Sequence, residues 1–414
     1  MTDPNRVEAA VRWHWRWTRE LWPRPTEAGE KSAERSAAAL YREESLEWVE
    51  SVIERARVPP SASLVPYTSE ASTLLPYSAR SLPSFRLYRV VQYTAAHNPI
   101  HALATSADNR QLSVGCTDGT IGLIDMATGQ RISTLVSDRQ LRGSVQCLAY
   151  APHAPQILYS GGGDKRVLQW DARIGRITQR LVGHTAGVYA LAVHPLLAPV
   201  IVSGGGDATV RVWDARATGD ACVHALAGHA AAVRSLEVRE QEPQILSGSD
   251  DATMRWWQLT PRAQLAGVYA RHAHGLCRVQ RCWLEVTGEE HEEEMEAVVS
   301  AAGDGVCLWR LPDGQCLARG AWVHHREGAA TALRDRRMVS AEARDVDGLV
   351  AAADAYGQVW LWHWTQPRWT PLERQPAGDE QCVDRVLFDR STSRLIVGDR
   401  AGRLRWYREE EPER

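Results

Sequence analysis

The chain has 414 residues, 44% of them hydrophobic and 24% charged, with a formal net charge of −3. That balance excludes a nucleic-acid binder acting through a wholly basic surface, and it excludes an acidic disordered chain. Lys31 and Lys165 are the only lysines among 48 basic residues, leaving 46 arginines, and neither follows a glycine, which excludes a Walker-type phosphate loop.

Residues 1–84 follow no repeat and read as an N-terminal arm. Asp3, Arg6 and Glu8 interrupt its start, so no secretory signal is expected. VRWHWRWTRELW at 11–22 sets Trp13, Trp15, Trp17 and Trp22 among Arg12, Arg16 and Arg19. Four indoles so close together need a partner. A protein groove or the chain's own flank would serve, as would RNA bases stacked on indole with arginines on phosphate. Tyr41, Trp48, Val49, Val52, Ile53 and Ala56 recur at helical spacing, which predicts a helix over 30–57 stopped by Pro59-Pro60. The Ser-, Pro- and Leu-rich stretch 58–84 reads as an extended linker.

From residue 85 the period changes. FRLYRVVQY at 85–93, followed by His97, alternates as a strand does. A motif then recurs seven times: a small residue, an aspartate, and an alternating run that ends on a large apolar residue. It reads CTDGTIGLID at 116–125, GGDKRVLQWD at 162–171, GGDATVRVWD at 205–214 and SDDATMRWWQ at 249–258. Weaker copies are AGDGVCLWR at 302–310, ADAYGQVWLW at 353–362 and GDRAGRLRWY at 398–407. The closing residues are Ile124, Trp170, Trp213, Trp257, Trp309, Trp362 and Tyr407, spaced 46, 43, 44, 52, 53 and 45 apart. The Gly-Asp pairs suit tight hairpin turns, glycine tolerating positive φ and aspartate capping backbone amides, and the closing ring is expected as a buried wedge between sheets.

Seven copies at this period predict an all-β, seven-bladed propeller of four-stranded sheets over 85–408, with an acidic tail at 409–414. Almost no chain follows Tyr407. The outermost strand of the last blade is therefore expected to be 85–93, paired with 403–407, which closes the ring and removes free edges. Two insertions lengthen the later repeats. TGEEHEEEMEA at 287–297 is expected as a solvated acidic loop, as is 324–347 with His324, His325 and the Arg334–Arg337 run.

The repeats resemble the WD-repeat family. That family's Gly-His corner, serine or threonine, turn aspartate and tryptophan hydrogen-bond in series. The resemblance implies two full tetrads: His184, Ser203, Asp207 and Trp213, and His229, Ser247, Asp251 and Trp257. Two partial ones are Ser160, Asp164 and Trp170, and Ser300, Asp304 and Trp309 with His272 or His274 upstream. Their implied role is structural, as staples within a blade.

A finer resemblance runs through HTAGVYALAVHP at 184–195, GGGDATVRVWDAR at 204–216 and PQILSGSDDATMRWW at 243–257. LPDGQCLARG at 311–320 and LFDRSTSRLIVGD at 387–399 continue it. In this order they resemble the pleiotropic regulator family, spliceosomal WD-repeat proteins associated with the nineteen complex. The similarity covers about 85–408. It implies a nuclear, non-enzymatic scaffold in pre-mRNA splicing, a monomer within a large assembly. Its partners would be spliceosomal proteins of the nineteen complex, with weak or indirect RNA-backbone contact and no membrane. The chain departs from that family in its shorter arm and in Ser137-Asp138, which replaces one Gly-His corner.

Lys165, Arg166, Tyr189 and Arg234, near corners and turns, are the partner-binding candidates beside the four arm tryptophans; Tyr189 and Arg234 hold equivalent positions, and packing alone is the other reading of Tyr189. A second function comes from Trp170-Asp171-Ala172-Arg173 and Trp213-Asp214-Ala215-Arg216. Such boxes on neighbouring blades resemble substrate receptors of cullin-type ubiquitin ligases, with Arg173 and Arg216 reaching the adaptor. The alternative is that Asp171 and Asp214 each bind their own arginine. A third reading is a generic adaptor.

No nucleophile elbow and no His-Glu-x-x-His helix is present, so no catalysis and no cofactor is expected. On a strand His272 and His274 would share one face, but no cysteine or carboxylate stands at a matching spacing, and no metal is expected. The eight cysteines form no Cys-x-x-Cys pair and read as reduced thiols.

Overall fold

Each repeat folds into four antiparallel strands, because its apolar positions alternate with period two and its Asp-centred turns reverse the chain. The computed structural model describes residues 82–410 apart from 94–97, 137–142, 195–199, 218–220, 240–243, 260–262, 288–291, 311–313, 323–337, 345–346, 355–356, 367, 373–381 and 390–393. The tryptophans of the arm, its helix at 30–57, His97, Ser137-Asp138, His324 and His325 lie outside the described residues, as do 285–294 for their side chains.

Seven four-stranded sheets result, numbered here as blades one to seven. Their innermost strands are Ile100–Thr105, Val145–Ala151, Val188–Val193, Val233–Val238, Leu276–Thr287, Met338–Ala343 and Val383–Phe388. Each of these lies against the innermost strand of the next blade, and the last lies against the first, so the ring is closed. Blade seven takes its outer strand from the other end of the chain. Phe85–Gln92 pairs antiparallel with Arg403–Glu409, from Phe85 opposite Glu409 to Gln92 opposite Arg403. Phe85 packs on Phe388 with ring centroids 6.2 Å apart. Just beyond the strand, Tyr93 lays its hydroxyl over Gly122, where a β-carbon would sit 1.1 Å from the Tyr93 oxygen. The pairing expected from the sequence is the one that closes the ring.

Among the described residues the buried apolar side chains form seven clusters, one at each junction between blades. The repeat's closing residue faces the preceding blade in every case. Ile124 lies in the seven–one junction, Trp170 in one–two, Trp213 in two–three and Trp257 in three–four. Trp309, Trp362 and Tyr407 continue the series. All seven are at most 3% exposed. These are the expected wedges, each stabilising by roughly 1.5–3 kcal/mol from burial.

Three details differ from expectation. Within 324–347, expected as a loop, Met338–Ala343 is the innermost strand of blade six. The positive φ of the turn belongs to the residue after the aspartate: Gly119 in blade one, but Lys165, Ala208 and Ala252 in blades two to four. The acidic insertion is also more ordered than a loop. Leu276–Thr287 and Glu292–Ala302 form a hairpin of 12 and 11 residues whose ladder runs to Thr287 opposite Glu292. The cause is its apolar side: Leu284 is fully buried beside Gly348 of blade six, and Glu296 pairs with Arg239 of blade four.

Candidate interaction faces

The two full tetrads form as the sequence implies. In blade three His184 Nδ1 lies 2.9 Å from Asp207, His184 Nε2 lies 2.7 Å from Ser203 Oγ, and Trp213 Nε1 donates to the same Oγ at 2.7 Å. In blade four the matching distances for His229, Asp251, Ser247 and Trp257 are 2.8, 2.7 and 2.8 Å. Blade five completes a third tetrad. His272, not His274, reaches Asp304 at 2.9 Å and Ser300 at 2.8 Å, and Trp309 donates to Ser300 at 2.7 Å. His272 and His274 stand in the bend before the innermost strand rather than on a strand, so they share no face for a metal. No group of three or more metal-ligating side chains occurs among the described residues. Blade two keeps the Trp170–Ser160 bond at 2.8 Å. In blade six Ala352 stands at the serine position, opposite Trp360, and the buried Trp362 N–H has no hydrogen-bond partner among the described residues.

The corner glycine also has a steric role. A β-carbon on Gly228 would come within 2.7 Å of Arg255 Nη1 and 3.0 Å of the Trp257 ring. Arg255 is only 7% exposed and lies beside the His229–Asp251 pair.

These networks tie the fold to pH. Burial pushes the Asp207, Asp251 and Asp304 carboxyls up, but hydrogen bonds from histidine and backbone amides, joined at Asp207 and Asp251 by a threonine hydroxyl, outweigh it and hold all three below their ordinary range. Asp164, in the repeat without a corner histidine, is raised by burial. For His229 and His272 burial dominates over the aspartate and lowers the imidazole, which favours the neutral ring that donates to Asp and accepts from Ser. His224 is lowered by burial in the same sense. Below about pH 6.5 the unfolded histidines therefore take up protons before the folded ones, and below about pH 4 the unfolded carboxylates do the same. Stability is expected to be complete above about pH 6.5, to fall as the pH drops below it, and to fall again below about 4. Urea midpoints at pH 7.5, 5.5 and 3.5 measure this, and an unchanged midpoint between 7.5 and 5.5 would refute the histidine part.

Strand register sorts the candidate residues onto opposite ends of the blades. The Asp-centred turns pair with the start of the innermost strands, as Gly205 does with Val188. Each innermost strand bulges there, between its first and third residues. The residue at the bulge is His101, Gln146, Tyr189, Arg234, Cys277, Val339 or Asp384, one per blade. Lys165, Arg166, Tyr189 and Arg234 all lie at this end. Tyr189 packs over Gly187 and Gly206. The Arg234 guanidinium stacks 4.3 Å from the Tyr189 ring centroid and is held by Asp250 at 2.8 Å. Both readings of Tyr189 therefore apply: it packs on its blade and presents a cation–aromatic pair.

The same end carries a polar set around the central channel that the repeat pattern did not single out. Asp384 of blade seven accepts from Arg400 at 2.8 Å and lies 3.3 Å from His101 of blade one. Arg385 reaches past blade one, donating to the His101 carbonyl at 2.5 Å and the Gln146 carbonyl at 3.2 Å. Burial and the nearby Arg278 push its guanidinium down from the ordinary arginine value. Arg278 in turn pairs with Glu342 of blade six at 2.7 Å. Arginine at the start of an innermost strand was the available signal, but only closure brings blades five, six, seven, one and two to one centre.

The Trp-Asp-x-Arg boxes lie at the other end, where Asp214 pairs with Val200 and the acidic hairpin of blade five extends. Arg173 forks onto Asp171 at 3.2 and 2.9 Å, and Arg216 onto Asp214 at 3.0 and 2.9 Å. Each aspartate thus binds its own arginine and also accepts that residue's amide. Both arginine side chains remain exposed, at 71% and 54%.

Comparison with known proteins agrees with this architecture. The family model "WD domain, G-beta repeat" matches residues 89–125, 131–171, 175–214 and 220–258. Each matched segment starts in or beside the outer strand of one blade and runs through three strands of the next, so the first begins in the closing strand of blade seven. Four segments of the chain thus match WD repeats, and its described residues form a seven-bladed propeller. The chain is similar to the anaphase-promoting complex subunit cdc20 of Dictyostelium discoideum, 26% identical over 233 residues. That alignment covers 55% of this chain and 43% of the relative, so the chain spans less than half of that protein's length.

Proposed function

We propose that this protein is a non-enzymatic interaction scaffold whose propeller holds several proteins of one large assembly. The observation that carries this reading is the Tyr189–Arg234–Asp250 set. An aromatic ring and a guanidinium, the side chains that most often anchor interfaces, are pre-ordered on a rigid bulge and left partly in solvent. The assembly proposed is the nuclear spliceosome, through proteins of the nineteen complex. The ordered similarity of the third to seventh repeats to the pleiotropic regulator family supports it. The tryptophan-rich arm would add a further contact and hence avidity.

A second reading is favoured by a different observation. Two neighbouring blades present exposed arginines in Asp–Arg forks at the opposite end of the disc, suited to a planar hydrogen-bonding partner. The relative named above is itself a subunit of a multi-protein complex. This reading is a substrate receptor of a cullin-type ubiquitin ligase.

Affinity capture of the full chain from its native cells separates the two. Spliceosomal small nuclear RNAs should be recovered with the protein. Tyr189→Ala with Arg234→Ala should reduce that recovery about tenfold, and Arg173→Ala with Arg216→Ala should leave it unchanged. Recovery of a cullin and its adaptor, lost in the Arg173/Arg216 variant, would replace the first reading by the second. Recovery of neither overturns both.

A further inference from the structure

We propose that the rim of blades seven, one and two is a docking surface for residues 43–54 of this chain's own N-terminal arm.

The outer strands of the seven blades contain no aspartate and no glutamate. Acidic residues outnumber basic ones in the chain, 51 to 48, so this is a property of the rim and not of the composition. Of the six arginines on these strands, Arg86, Arg89, Arg131, Arg176 and Arg180 stand on blades seven, one and two. Arg86, Arg89, Arg131 and Arg176 form no ion pair among the described residues, whereas Arg319 of blade five is held by Asp304. The same three blades carry six of the seven large apolar side chains exposed among the described residues: Tyr88 and Val90, Ile132 and Val136, Ile174 and Val182. The blades form one continuous surface there. Arg89 donates to the Ala127 carbonyl of blade one at 3.1 Å, and Arg131 donates back to the Tyr93 carbonyl at the end of the closing strand. The blade-two turn at Gly175 lies against Leu135 of blade one. Exposed apolar side chains gathered in one place mark an interaction surface, and the arginines among them select for negative charge.

Residues 43–54, EESLEWVESVIE, are the complement of that surface. Five glutamates and no basic residue stand among Leu46, Trp48, Val49, Val52 and Ile53. At helical spacing Trp48, Val49, Val52 and Ile53 fall on one face, with Glu44 at one border and Glu50 at the other. An apolar stripe edged by carboxylates matches apolar side chains set among arginines. The tryptophan-rich stretch 11–22 matches less well, because Arg12, Arg16 and Arg19 would add positive charge where it is already uncompensated. RNA phosphates would suit the arginines, but valine and isoleucine give bases no platform to stack on.

The connection permits the contact. The arm joins the propeller at this rim: Leu82 packs in the six–seven junction with Phe85, and Phe85–Gln92 is the outer strand of blade seven. Residues 55–81 span up to ~90 Å when extended, well beyond the ~20 Å radius of gyration of a compact domain of the propeller's length. Tethering holds residues 43–54 near the rim at an effective concentration on the order of 1 mM, so modest affinity suffices. Docking covers the exposed apolar side chains and supplies the carboxylates that the rim lacks. The arginines meanwhile guard these sheet edges against pairing with another copy. None of this depends on which assembly the propeller joins.

The full chain with a photoreactive benzophenone amino acid in place of Trp48 tests this, by irradiation, proteolysis and mass spectrometry of the purified protein. Cross-links are expected within residues 86–92, 131–136 or 174–182 of the same molecule. Glu44→Arg with Glu50→Arg, both outside the propeller, should lower their yield about tenfold. Adding Arg86→Glu with Arg176→Glu to that chain should restore the yield, which a merely misfolded variant would not do. The proposal falls if the cross-links lie on other blades, if they join two chains, if none forms, if the arm substitutions leave the yield unchanged, or if the second pair fails to restore it.

Discussion

Trp257→Ala is expected to lower the unfolding free energy by about 3–5 kcal/mol, the range for removing a large buried aromatic. Trp257 fills the junction between blades three and four with Val212, Val233 and Leu236. The ring is only part of its contribution. Its N–H ends a hydrogen-bond chain through Ser247 and His229 to Asp251. Trp257→Phe should therefore cost about 1–3 kcal/mol beyond the loss of ring area, because a buried polar network loses a donor. Trp362 is the control. It is as buried as Trp257 in the equivalent position, but Ala352 replaces the serine and its N–H has no partner among the described residues. Trp362→Phe should be clearly the milder of the two substitutions. Urea unfolding of both variants decides it, and equal losses would show that the tetrad contributes no more than its apolar area.

The second large effect concerns closure. A chain beginning at Tyr93 lacks the strand Phe85–Gln92, and it should self-associate or precipitate where a chain beginning at Leu82 stays monodisperse. Removing the strand exposes Phe388 and Tyr407, costing about 3 kcal/mol or more from lost apolar burial, and leaves Arg403–Glu409 as a free edge. A synthetic peptide of residues 82–92 added in trans should restore the monodisperse form. Light scattering and size-exclusion chromatography report the outcome. A chain from Tyr93 that is monomeric and as stable as the longer one would mean that the ring does not depend on this strand.

The two effects were legible in the sequence to different degrees. The wedge residues were readable because each closes a period-two run at a fixed distance from a turn aspartate. The closing strand was readable because FRLYRVVQY at 85–93 alternates as a strand ahead of the first repeat. His272 could not be chosen over His274, as that choice depends on where the bend ends and the innermost strand begins.

By itself, then, the amino-acid order determined the number of blades, the seven wedges and the strand that joins the ends, and its resemblance to the WD-repeat family implied the two complete tetrads. The first three are local or periodic properties, written in alternation, turn residues and repeat length. Only the tertiary structure decided what lies at each end of the disc. It put Tyr189, Arg234 and the Arg385 channel set on one end, the Asp171–Arg173 and Asp214–Arg216 forks on the other, and the acidic hairpin beside those forks. The physical reason is that such groupings join side chains far apart along the chain, and their neighbours are set by strand register, bulges and ring closure.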